Sequence, residues 1–189
     1  MNRKAITSIL ILAGTSVPGL ILAGAGFAAD VPQGPDLGRP ASPADVARWN
    51  REVAPDGTGL PPGQGTARQG EKIYAEQCLS CHGKYGLGDS GDQLAGAQMG
   101  LTSDYPEKTI GNFWPYATTL FDFIRRSMPM TAPQSLSDDQ VYAVTAYLLY
   151  LNNITGEDAV LNAKTLPAIK MPNRNGFINA YTGDKDGAH

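Results

Sequence analysis

The chain has 189 residues with 15 basic and 18 acidic side chains, a formal charge of −3. It carries no basic stripe of the kind that tracks a phosphate backbone, so nucleic-acid binding is excluded as its business. With two cysteines and two histidines in the whole chain, any soft-ligand chemistry has to be concentrated in one place.

Residues 1–29 read as a Sec-type signal peptide: Asn2-Arg3-Lys4, an apolar run from Ala5, and the small-residue ending Gly26-Phe27-Ala28-Ala29. Cleavage is expected near Ala28 or Ala29, with an uncleaved membrane anchor as the alternative. Pro18 and the glycines weaken a spanning helix. Export implies a periplasmic protein. Its mature formal charge would be near −5 once Arg3 and Lys4 are gone, with about 160 residues left for one domain and its arms.

Residues 30–66 form a Pro/Gly-rich N-terminal arm of turns and extended chain. One short helix is predicted in it, capped by Ser42 with Pro43 at its first position and Asp45 completing a capping box. Trp49 is expected to anchor this arm on the domain.

A core helix is predicted from Ala67 to Gln77, with Ile73 and Tyr74 on its packing face. Gly70 inside it calls for close approach by another helix. The helix runs into Cys78-Leu79-Ser80-Cys81-His82, a C-x-x-C-H. Behind a secretory leader this is the pattern of c-type haem attachment. Two thiols three residues apart can each form a thioether to one porphyrin, and the adjoining His82 then becomes the proximal iron ligand. A zinc site lacks its second ligand pair, and a thioredoxin-like pair lacks its βαβ surroundings. A plain disulfide would leave His82 without a purpose. The glycine-rich stretch that follows, Gly83 to Gly100, is expected to be a loop folded over a haem face.

A second helix is predicted from Pro115 to about Arg126, with Leu120, Phe123 and Ile124 on one face and Arg125 and Arg126 in its last turn. Trp114, Tyr116 and Arg125 are candidate donors to haem propionates, ordinary packing or a solvated charge being the alternative for each. Then comes Ser127-Met128-Pro129-Met130, a Pro-stiffened loop between helices. Met128 is the preferred sixth ligand of the iron, with Met130 as the alternative, or both as soft core filler. Met99 lies in the flexible glycine loop, Met171 lies beyond the last helix, and His189 ends a polar tail, all poorer places for a ligand. Ser137 and Gln140 form a capping box for a closing helix through Val141, Val144, Tyr147, Leu148 and Leu151, placed to cross the first helix near Gly70. Residues 154–189 read as a C-terminal arm and tail, with one weak helical turn from Glu157 to Ala163.

A helix ending in C-x-x-C-H, a variable loop, a Met-Pro loop and a closing helix, over 67–153, resemble the class I cytochromes c. The implied fold is mainly α, around one covalent haem c, with long irregular arms. The run from Lys108 to Pro129, the arm Pro55-Asp-Gly-Thr-Gly-Leu-Pro-Pro-Gly63, Thr165-Leu-Pro and Met171-Pro-Asn-Arg are similar to the cytochrome subunit of the sulfur (sulfane) dehydrogenase of the Sox thiosulfate-oxidising system, and to its single-haem relatives. In that pattern the distal ligand falls on Met128. The resemblance implies a non-catalytic electron-transfer protein. Its donor would be a sulfite-oxidase-type molybdenum dehydrogenase, and its acceptor another cytochrome c or a terminal oxidase. The Sox subunit is typically a longer, two-haem chain, whereas this one has a single C-x-x-C-H, so the subunit of a sulfite dehydrogenase fits as well. An open-site haem protein, catalytic or ligand-binding, or the cytochrome of another periplasmic dehydrogenase, is the alternative.

Overall fold

The computed structural model describes residues 37–181. The leader, the first residues of the N-terminal arm and the tail with His189 lie outside them. The chain divides after Pro40; Leu37–Pro40 are exposed and belong to the first unit, and everything below concerns the second, from Ala41 onward.

Helices are carried by their caps. Helix α1 (Pro43–Trp49) opens on the Ser42–Asp45 capping box read from the sequence. Helix α2 (Ala67–Gln77) opens on a second box, Thr66 with Gln69, which the sequence reading passed over. A single turn, α3 (Leu79–His82), holds the C-x-x-C-H apart from α2, because Cys78 leaves helical geometry at φ −125°. Helix α4 (Ala117–Ser127) starts two residues later than expected, since Tyr116 stays extended. Helix α5 (Asp138–Leu151) starts on the Ser137–Gln140 box, with Asp138 and Asp139 in its first turn facing the positive end of the helix dipole.

Helix α5 is the centre of the molecule. The sequence suggested one apolar face, but nine consecutive residues, Val141 to Leu149, are buried. A helix that is apolar all round has to be enclosed on every side. Here α2, α4, two short strands and the turn after α3 surround it. The tightest of these contacts is with α2: a β-carbon on Gly70 would overlap the Ala143 carbonyl, so only glycine lets the two backbones approach this closely. One turn further on, the rings of Tyr74 and Tyr147 meet with centroids 5.3 Å apart. The expected crossing near Gly70 and Tyr74 is the one observed.

On the other side, Phe121 of α4 packs on Tyr142 of α5 at 4.4 Å. Full burial of a side chain such as Phe121 or Leu149 contributes about 2 kcal/mol. Phe123, predicted on the core face of α4, is instead 42% exposed, because Leu120, Phe121 and Ile124 already fill that face.

The arms are more structured than their composition suggests. Strands β1 (Gln64–Gly65) and β2 (Leu161–Asn162) pair antiparallel beside α5, and β2 lies in the stretch Glu157–Ala163 expected to be only a weak helical turn. Leu161, Leu166 and Met171 join the main core. Tyr142 donates its hydroxyl to the Pro61 carbonyl at 2.9 Å, pinning the chain before β1. The expectation for Trp49 fails: it is 81% exposed, and no residue of α1 is buried. What holds the N-terminal arm is the backbone after Trp49, through bonds to α4. No helix among the described residues is long and apolar enough to cross a membrane.

Candidate functional site: an apolar cavity at the C-x-x-C-H

A cavity of about 500 Å³ opens between α3, the end of α4, the loop after it and α5. That is within the range of ligand and cofactor pockets. Cys78, Cys81 and His82 line it from α3 and its cap, and Met128 and Met130 line it from the loop. Ile110, Leu120, Ile124, Leu136, Val144 and Leu148 supply much of the apolar wall. The five-residue motif and the Met-Pro loop, 46 positions apart in sequence between His82 and Met128, thus face one space.

His82 is oriented by the backbone. Its Nδ1 lies 2.7 Å from the Asp92 carbonyl oxygen. A carbonyl only accepts, so Nδ1 is the protonated nitrogen and the lone pair falls on Nε2. This is how a metal-binding imidazole is ordinarily held. The glycine-rich chain after His82 makes the arrangement possible: Gly88 N–H donates to the His82 carbonyl (2.9 Å) and Gly91 N–H to that of Cys81 (2.7 Å). A β-carbon on Gly91 would sit 3.2 Å from the imidazole ring and from the Cys81 carbonyl. The loop therefore folds around the histidine, and its glycine content is a packing requirement at Gly91.

The cysteines are not bridged to each other. Burial pushes the Cys78 thiol up to about 11, with the neighbouring Cys81 adding to the shift. A redox-active C-x-x-C works through a thiolate of lowered pKa, and Cys78 is moved the other way.

The two methionines of the loop differ. Met128 is partly buried and packs on the core, while Met130 is 77% exposed. The Met128 N–H closes α4 on the Ile124 carbonyl at 3.0 Å, so the residue is tied to a helix end. Its peptide bond to Pro129 is cis. Met99 is 43% exposed, and Met171 is a core residue; neither lines the cavity.

Trp114, Tyr116 and Arg125 are not among the residues lining the cavity. Trp114 packs edge-on against Phe123, which does line it, at 5.7 Å. The Arg174 guanidinium lies over the Tyr116 ring at 4.1 Å. Arg125 donates to Asp138 (2.9 Å) and to the Arg51 carbonyl (3.2 Å). One residue around the site went unread in the sequence. Asn152, just past α5, accepts from Gly111 N–H (3.1 Å) and donates to the carbonyls of Leu94 (3.1 Å) and Leu148 (2.8 Å), joining three segments at the edge of the cavity. An asparagine at a helix end was the available signal, but its partners are set by the tertiary fold.

The residues present fit a haem. An apolar cavity of suitable size, an imidazole with Nε2 free to ligate, two cysteines on one turn and a thioether on the same cavity make up its usual donor set. The imidazole of His82 and the thioether of Met128 are side chains on this cavity that could ligate its iron.

Residues 65–148 match the family model described as cytochrome C oxidase, cbb3-type, subunit III. No curated protein sequence gives a significant match. Among solved structures, the chain is similar to the crystal structure of the sulfane dehydrogenase SoxCD from Paracoccus pantotrophus. The identity is 44% and the TM-score 0.71, over 75% of this chain and 70% of that one. A cytochrome c domain implies haem c, in agreement with the donor set found here. Motif, fold and likeness converge, and the chain belongs to the class I cytochromes c, close to the cytochrome subunit of the Sox sulfane dehydrogenase.

Proposed function

We propose that this chain is a periplasmic mono-haem c-type cytochrome that takes electrons from a sulfite-oxidase-type molybdenum sulfur or sulfite dehydrogenase and passes them to the respiratory chain, through another cytochrome c or a terminal oxidase. Cys78 and Cys81 would hold the haem as thioethers, with His82 as the proximal ligand of its iron and Met128 as the distal one. The haem supplies one-electron exchange between ferric and ferrous iron. The protein's own residues position it, exclude water with apolar walls and raise its potential through the thioether. Trp114, Tyr116 and Arg125 would supply hydrogen-bond donors to its propionates.

The observation that carries this reading is that Cys78, Cys81, His82 and Met128 line one apolar cavity in a chain 44% identical to part of a sulfane dehydrogenase. The domain boundaries go with it: a leader over 1–29 that is removed on export, a cytochrome domain over 67–153, and arms over 30–66 and 154–189 available to grip an enzyme.

The test is purification of the full-length protein from periplasm at low salt, following the haem band by size and assaying molybdenum in each fraction. Co-elution with molybdenum, and reduction of the haem by sulfite or thiosulfate, is the expected result. A lone haem protein that neither compound reduces would overturn the assignment of the donor.

A further inference from the structure

Helix α4 ends at Met128, so the position of α4 along its own axis decides where the thioether sits. On its inner side α4 is held by Leu120, Phe121 and Ile124, and such apolar contacts have little directional preference. Its outer side carries Thr118, Asp122 and Arg125, at helical spacing i, i+4 and i+7 along one face. Each meets the extended chain that follows α1. The Thr118 hydroxyl donates to the Pro55 carbonyl at 2.9 Å. Val53 N–H donates to the Asp122 carboxylate at 2.9 Å. Arg125 donates to the Arg51 carbonyl at 3.2 Å. Alternate residues of the strap, 51, 53 and 55, thus pair with successive turns of the helix, running antiparallel to it.

The ladder is locked at its middle rung and at its Arg51–Arg125 end. Asp122, 6% exposed, also receives the Arg126 guanidinium. Arg125 also donates to Asp138, in the first turn of α5. The Arg51 side chain reaches across to Gln134 Oε1 at 2.9 Å, inside the loop that Met128 opens. Sliding α4 by one residue, about 1.5 Å, would break the three rungs together, leaving the buried Asp122 carboxylate without its amide donor.

We infer that the strap Arg51–Pro55 is a brace for the distal ligand: Thr118, Asp122 and Arg125 are positioning residues that hold Met128 on the iron, and loosening them opens the sixth coordination position to outside ligands. This inference rests on Met128 being the distal ligand, as proposed above.

The experiment titrates imidazole into the ferric, full-length holoprotein, well below its unfolding temperature, and follows the absorption band of methionine-ligated ferric haem. Thr118→Val is expected to bind imidazole about fivefold more tightly than the unaltered protein, the weight of one lost hydrogen bond, and Asp122→Ala, which loses the Arg126 contact as well as the Val53 rung, at least as much. Thr118→Ser keeps the hydroxyl and is expected to restore the original affinity. Leu166→Ala, a core truncation that makes none of the three rungs and does not line the cavity, should lower thermal stability without changing imidazole affinity. If Asp122→Ala does not fold, Thr118→Val with its serine rescue carries the test. Unchanged affinity in the strap variants, or an equal gain in Leu166→Ala, would overturn the brace alone. If Met128→Ala leaves the ferric spectrum as it was, the ligand assignment falls and the brace with it.

Discussion

His82 donates Nδ1–H to a backbone carbonyl ten residues away, and the ring rests on Gly91. That pairing leaves the free lone pair on Nε2, the nitrogen that would ligate an iron. Gly91→Ala puts a methyl 3.2 Å from the ring, so the loop has to move or the imidazole has to tilt. The expected outcome is a stability loss of about 1–3 kcal/mol, with a changed haem spectrum; denaturation monitored at the haem band checks both. At Met128, the proposed distal ligand, Met128→Ala is expected to lower the reduction potential and move ferric iron toward high spin. Met130→Ala, at a residue 77% exposed, should do neither. Potentiometric titration of the two variants decides between them, and the reverse result would reassign the ligand.

Among the elements, α2 and α5 depend on a contact that only glycine permits. Gly70→Ala drives a methyl into the Ala143 carbonyl, which is backbone and cannot rotate away. A loss of at least about 1–3 kcal/mol is expected in chemical denaturation, despite alanine's higher helix propensity. Ser137→Ala removes the acceptor for Gln140 N–H at the start of α5 and should cost about 1 kcal/mol. These elements were legible because caps and helix spacing are local: Ser42, Ser137 and the C-x-x-C-H name themselves within a few residues. The strap was not legible. Thr118, Asp122 and Arg125 look like any polar helix face, and Arg125 reads as naturally toward a haem propionate as toward Asp138 and the Arg51 carbonyl. Their partners lie 63 to 74 positions away, a separation at which no periodicity survives.

For the whole molecule, the buried phenols of α5, together with Tyr74 of α2, contribute to the alkaline limit of stability. Burial raises Tyr142 to about 12 and moves Tyr147 in the same direction. Both are held neutral in the folded state, so the unfolded chain loses their protons first, near pH 10. Stability is therefore complete below about pH 10 and falls as pH climbs from there toward 12, where the folded Tyr142 also ionises. Tyr142→Phe should flatten part of that fall while losing its hydrogen bond to Pro61. Denaturation midpoints measured from pH 9 to 12 give the slope directly.

By itself the amino-acid sequence determined the chemistry and the helical frame. The haem-binding motif, the two loop methionines, the caps of α1 and α5 and the close approach at Gly70 are all signals written within a few residues, where covalent geometry and hydrogen-bond inventory limit the options. The tertiary structure alone decided that α5 is enclosed on all sides, that Leu161, Leu166 and Met171 of the C-terminal arm belong to the core, and that Trp49 does not. It also decided that the N-terminal strap binds α4 through its backbone. Composition marks such segments only as rich in Pro and Gly; which carbonyl meets which side chain follows from where the helices bring them, and that is a property of the packed chain.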